Sequence, residues 1–193
     1  GNERYILNGC KQTTYSQCLS IEIYFMQNLE RGCYFMFQIG DKVSYPMHGA
    51  GIIKCVEEEK ILGEEHQYFV LEPCVGELEI KIPVARIEKV GIRYIVSENE
   101  ADAVINDFEK CSCDEDDNWN KRYRDNLEKL KDGDLFEIAR VTKTLIMRDR
   151  KKSLSNAERK MLSNAKTILI SELVLSKNSS YSDIEDMLMS KIS

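Results

Sequence analysis

Around residue 97 the hydrophobic pattern changes period, from two to about 3.6, and no single type of element accommodates both. Before that point the chain runs in short alternating stretches punctuated by glycine and proline. Residues 42–45 alternate and end at Pro46, and residues 51–56 continue into the polar run 57–60. A turn at Leu62-Gly63-Glu64 leads into a β-branched and aromatic stretch at 67–71, and Val75-Gly76 makes the next turn. Residues 78–82 alternate strictly, which predicts Leu78, Ile80 and Ile82 inward and Glu79 and Lys81 outward, before Pro83. A last short strand is predicted at 87–90. Closely spaced strands of this kind predict a small barrel or strongly bent antiparallel sheet. Pro83 cannot donate to a ladder, which places that strand at an edge, and a free edge can take a strand from another protein.

After residue 97 the spacing predicts helices at about 98–110, 118–131, 134–151, 155–176 and 182–191. Ser97, Ser155 and Ser182 each precede a glutamate by three residues, the signature of a capping box. Gly133 suits the stop between the second and third helices. Leu135, Ile138, Thr142, Leu145 and Ile146 form one inward stripe, and Ala157, Met161, Ala165, Ile168 and Leu169 form another. The expected architecture is α+β: a small β domain at 36–96 followed by an all-α helical domain at 97–193. The polar loop 111–117 stands before the second helix, where its last aspartates can cap it. Residues 1–35 lack a clear period and are expected to be a non-native upstream extension or tag remnant. Codons for Glu30-Arg31-Gly32 can spell a purine-rich ribosome-binding sequence ahead of Met36.

The net charge of -6 conceals a marked polarity. Residues 1–117 hold 11 Lys/Arg against 22 Asp/Glu, whereas residues 118–166 hold 14 against 7. A basic segment suits a polyanion, and the acidic part is left to engage something else. Within the basic segment stands the chain's single tryptophan, Trp119. On a helix it shares a face with Arg122 and Tyr123, flanked by Lys121 and Arg124. Cations that engage phosphates around a ring that stacks on or wedges between bases suit a nucleic acid. The same spacing also suits a core-facing tryptophan with a solvated basic rim. Arg148, Arg150, Lys151 and Lys152 end the third helix, and Arg159 and Lys160 open the fourth. Trp119 and these nine cations are the candidates for DNA contact.

Seven cysteines without regular spacing suggest free thiols in a reducing cytoplasm rather than a disulfide framework. No apolar run approaches the length of a membrane span. Catalytic signals are sparse. His48 and His66 lie in a turn and on a strand without a nucleophile motif, and no phosphate-binding loop is present. Gly49-x-Gly51 lacks the rest of a dinucleotide fingerprint and signals a turn with close packing. Cys111-x-Cys113 has no second ligand pair at zinc spacing, and the acidic 114–117 run lacks the features of a calcium loop. We therefore expect no enzyme, no cofactor and no metal.

Longer motifs carry a resemblance. Residues 37–49 read F-x-x-G-D-x-V-x-Y-P-x-H-G, residues 63–71 read G-E-x-x-x-Y-x-V-L, and Ile82-Pro83 and V-G-I-R at 90–93 follow. Residues 118–130 read N-W-x-x-R-Y-R-x-N-x-E-K-L, and residues 154–162 read L-S-x-x-E-R-K-M-L. In this order, across 36–178, the chain resembles the CarD/CdnL family of bacterial transcription regulators. The family's first domain is similar to the RNA-polymerase-interacting domain of transcription-repair coupling factor. The resemblance implies a Tudor-like β domain that binds the RNA polymerase β subunit through an exposed strand, here Glu79, Ile80, Lys81, Ile82 and Pro83. At Lys81 the family often has arginine, so the charge is kept but the planar fork is lost. It also implies a helical domain touching promoter DNA at the upstream edge of the melted bubble, with Trp119 as a wedge and Lys121 and Arg122 as the basic pair behind it. Little sequence specificity is expected, and the protein is expected to be a cytoplasmic monomer. A competing reading is a non-enzymatic adaptor whose helical bundle docks another protein.

Overall fold

The structure, a computed structural model, describes residues 37–112 and 118–192. The expected extension at 1–35, Cys113 and the acidic run 114–117 lie outside the described residues. From Ile39 onward the described chain forms one compact unit.

Five strands, β1 (Lys42–Tyr45), β2 (Gly49–Ile61), β3 (Glu64–Pro73), β4 (Ile80–Pro83) and β5 (Arg93–Tyr94), form an antiparallel sheet in the order β4-β3-β2-β1-β5. The central hairpin is longer than the alternation predicted, because cross-strand pairing carries through the acidic run to Ile61 opposite Glu64. Leu62 (φ 53°) and Gly63 (φ 92°) close it, both left-handed, the geometry whose twist matches a two-residue hairpin. β4 is an edge strand, as Pro83 predicted, but it is shorter than expected. Leu78 is 85% exposed rather than inward. The register that sets Ile80 opposite Leu71 would place Leu78 against Pro73, which has no N–H to offer a ladder. Ile82 is buried and Ile80 half-buried.

The strand expected at 87–90 is absent. A 3-10 turn at Val84–Arg86 continues into local bonds, with Ile87 N donating to Val84 O and Lys89 N and Val90 N both donating to Arg86 O, so these three donors are spent locally rather than on a sheet. The chain instead turns at Gly91 (φ 73°) and pairs Arg93 and Tyr94 with Ser44 and Val43.

Five helices follow: α1 (Glu98–Lys110), α2 (Trp119–Asp132), α3 (Leu135–Lys151), α4 (Asn156–Lys177) and α5 (Tyr181–Ser190). Capping boxes at Ser97/Glu100 and Ser155/Glu158 form as predicted, and Gly133 (φ 76°) ends α2. The third predicted box does not form. Ser180, not Ser182, caps α5 by accepting from Asp183 N, which starts the helix a residue early. At α2 the cap is Asn118, whose side chain accepts from the backbone N–H groups of Asn120 and Lys121. Both predicted stripes face the core, except that Ala157 is only half-buried. No described helix is long and apolar enough to cross a membrane.

α4 joins bundle to sheet, lying against β2 as well as against its neighbouring helices. Gly49 permits that approach, since a Cβ there would meet Ser171 Oγ at 2.7 Å, whereas Gly51 is confined by the neighbouring strand, where a Cβ would collide with Glu72 O on β3. The close-packing reading of Gly49-x-Gly51 therefore has a concrete basis. Polar contacts pin the same seam. Ala50 N donates to Ser171 Oγ at 2.8 Å, Lys42 Nζ donates to Leu175 O at 2.9 Å, and Ser176 Oγ donates to Val96 O at 2.8 Å. Arg93 clamps it with two bonds to Glu172, at 2.5 and 3.1 Å, and one to Gly133 O at 2.8 Å. Glu172 is fully buried and also accepts from Val96 N at 3.0 Å.

Candidate nucleic-acid interface

The first turn of α2 is fastened to the start of α4. The indole N–H of Trp119 donates to Ser155 Oγ at 3.3 Å. Ser155 Oγ donates in turn to Glu158 Oε2 at 2.8 Å and accepts from Glu158 N, so this hydroxyl uses its single donor and both lone pairs. The other carboxylate oxygen, Glu158 Oε1, accepts from Arg122 Nε at 3.2 Å and Nη2 at 2.8 Å. Arg148 Nε stands 3.9 Å from the same oxygen. Burial alone would push the Glu158 carboxyl up, but Arg122 and Ser155 outweigh it and hold the group below the usual carboxylate range.

This junction gathers the N-terminus of α2, the C-terminus of α3 and the N-terminus of α4, and with them the candidate cations. Trp119 remains 42% exposed and stacks on Tyr123, with ring centroids 5.4 Å apart and an interplanar angle of 19°. Of the two arrangements open to the sequence, the structure adopts the exposed tryptophan. Lys121, Arg124, Lys151, Lys152, Arg159 and Lys160 are exposed. Arg159 donates to Ser153 Oγ at 2.6 Å, and Arg124 lies 3.9 Å from Asp125. Arg150 is exposed but donates to Ile192 O at 3.0 Å, bridging to the end of the chain. Arg148 is half-buried and turned toward Glu158.

Arg122 departs from the expectation. At 4% exposure it is enclosed between α2 and α4 with its guanidinium committed to Glu158, so it cannot reach a phosphate without breaking a buried pair. Helical spacing put Arg122 on the tryptophan face, but it did not disclose that Glu158 waits across that face. Ser155 and Glu158 were legible as a capping box; their second task, holding the tryptophan and the arginine, was not.

Beside Tyr123, a groove of about 470 Å³ opens between α2, α4 and the β1–β2 turn, lined in part by Met47, Leu127, Met161, Lys160 and Asn164. At the far side of the sheet, β4 leaves one edge unpaired among the described strands. Lys81 projects from it and bonds Glu57 at 2.8 Å and Glu59 at 2.5 Å across β3, and these carboxylates push its ammonium pKa up. Glu79 pairs with Lys54 at 2.7 Å. The positive charge foreseen at this edge is thus already matched within the sheet.

Two family models match the chain, the CarD-like/TRCF RID domain over residues 37–96 and the C-terminal domain of CarD over residues 103–189. The chain is also 38% identical over 142 residues to a Bacillus subtilis (strain 168) protein named "Putative transcription factor YdeB", covering 74% of this chain and 93% of that protein. The chain belongs to the CarD family. Its CarD architecture is the one described above, a RID-like antiparallel sheet followed by helices. Membership of the CarD family places it among RNA-polymerase-associated transcription regulators.

Proposed function

We propose that this protein grips the RNA polymerase β subunit through the β4 edge, at Glu79, Ile80, Lys81, Ile82 and Pro83, and stabilises the open promoter complex with Trp119. The observation that carries this reading is the half-exposed indole of Trp119, displayed on a helix N-terminus among exposed cations. Lys121, Arg124, Lys151, Lys152, Arg159 and Lys160 supply phosphate contacts, with Arg148 and Arg150 at their margin. Arg122 is withdrawn from that set. Phosphate contacts fix position without reading sequence, so specificity is slight. The protein acts as a cytoplasmic, non-enzymatic monomer.

The mechanism is differential binding. Anchoring on polymerase raises the local concentration at the promoter, so weak DNA contacts suffice. An aromatic wedge fits an unstacked, widened junction better than an intact duplex. It therefore favours the open complex over the closed one. A differential of about 1.4 kcal/mol shifts that ratio roughly tenfold.

The test is Trp119→Ala in a promoter-melting assay with polymerase. Open-complex lifetime should fall roughly tenfold while polymerase binding and thermal stability hold. An unchanged lifetime would instead favour the adaptor reading, whose docking surface would be the groove beside Tyr123.

A further inference from the structure

We propose that Ser155, backed by the Arg122–Glu158 pair, is a positioning residue that holds the Trp119 indole in the pose it presents to its partner. The inference rests on the reading of Trp119 given above and adds the device that orients it.

Three observations carry it. First, Trp119 is exposed over 42% of its surface, yet its ring is constrained at two points, by the stack on Tyr123 and by the indole N–H on Ser155 Oγ. An exposed aromatic without such contacts samples several rotamers, and ordering it on binding costs affinity. Second, the acceptor is itself fixed. Ser155 Oγ gives its proton to Glu158 and receives Glu158 N, which leaves one lone pair, and the indole takes it. Third, Glu158 cannot turn away, because Oε2 is held by Ser155 N and Oγ while Oε1 is held by the buried Arg122 guanidinium. Each group in the chain from Arg122 to the indole thus fixes the next. A capping box alone requires only the Ser155–Glu158 half of this arrangement. The buried arginine on α2 and the indole contact exceed what capping needs.

The chain's single tryptophan makes the proposal directly measurable, since all indole fluorescence comes from Trp119. In full-length Ser155→Gly the Oγ is lost, while glycine remains a tolerated N-cap for α4. Tryptophan anisotropy should fall and acrylamide quenching should rise, with the circular dichroism spectrum unchanged. The lifetime of the open promoter complex should shorten about three- to tenfold, the factor that one net hydrogen bond is worth, at unchanged polymerase affinity. Ser155→Thr, which restores a hydroxyl, should recover both readouts. Glu158→Gln keeps an N3 amide for the cap but removes the charge partner of Arg122, and should loosen the indole in the same direction.

Wild-type anisotropy and quenching in Ser155→Gly would overturn the proposal. So would a loosened indole with a wild-type open-complex lifetime, provided Trp119→Ala shortens that lifetime. If Trp119→Ala itself leaves the lifetime unchanged, the promoter reading fails, whereas loosening in Ser155→Gly still supports the held pose.

Discussion

Arg93 and Arg122 are both arginines on paper, and each is committed to a buried glutamate on α4. Removing one partner of such a pair strands the other charge, at a cost of about 3 kcal/mol. Arg93→Ala strips the buried Glu172 of its guanidinium while Val96 N still donates to it, so the melting temperature should drop well below wild type in calorimetry. The sign of the acid response follows from Glu158. Its carboxyl is depressed in the fold, so its contribution is complete above the unfolded value of about 4.3 and is lost as pH falls through the folded value. Melting temperature should therefore decline as pH drops below about 4, and Glu158→Gln should flatten that decline. At this scale the sequence was least informative. A residue's type and helical face were plain, but whether Arg122 met solvent or a carboxylate depended on a residue 36 positions away.

Elements were far more legible. Capping boxes at Ser97 and Ser155, and Gly133 after α2, placed three helix ends within a residue or two, because these signals act through local backbone donors and acceptors. The misplaced strand ends had non-local causes. Leu78 lost its ladder to Pro73, and Ile87, Lys89 and Val90 spent their N–H groups locally before Gly91 redirected the chain. Ser182 was eclipsed as a cap by Ser180, whose hydroxyl offers the same acceptor two residues earlier. For β4, Lys81 is an exposed side chain satisfied by Glu57 and Glu59. Lys81→Ala should weaken binding to the isolated β subunit several-fold in a pull-down or biosensor titration. Because exposed ion pairs contribute little to stability, the melting temperature should stay within about 2 °C. Equal binding by wild type and variant would move the contact away from this strand.

For the whole molecule, charge polarity was the most durable message of the sequence. Among the described residues, the acidic half supplies the sheet and α1, and the basic half sets most of its exposed cations near one junction of three helices. If those cations meet phosphates, DNA affinity must fall with salt, by a log–log slope of about 0.9 per phosphate neutralised. Lys151→Ala/Lys152→Ala should reduce that slope by roughly one to two and leave the Trp119 fluorescence unaltered. A slope equal to wild type would place both lysines outside the interface.

The Arg93 clamp, with Ser171 and Lys42 beside it, leaves little freedom between the strand edge and the aromatic tip. A molecule so braced works as a caliper. If the strand edge and the indole are its two points of grip, as proposed, whatever they touch must lie at one separation and one angle, and a promoter fork a few base pairs off that gauge would go unsupported however well each jaw fits alone.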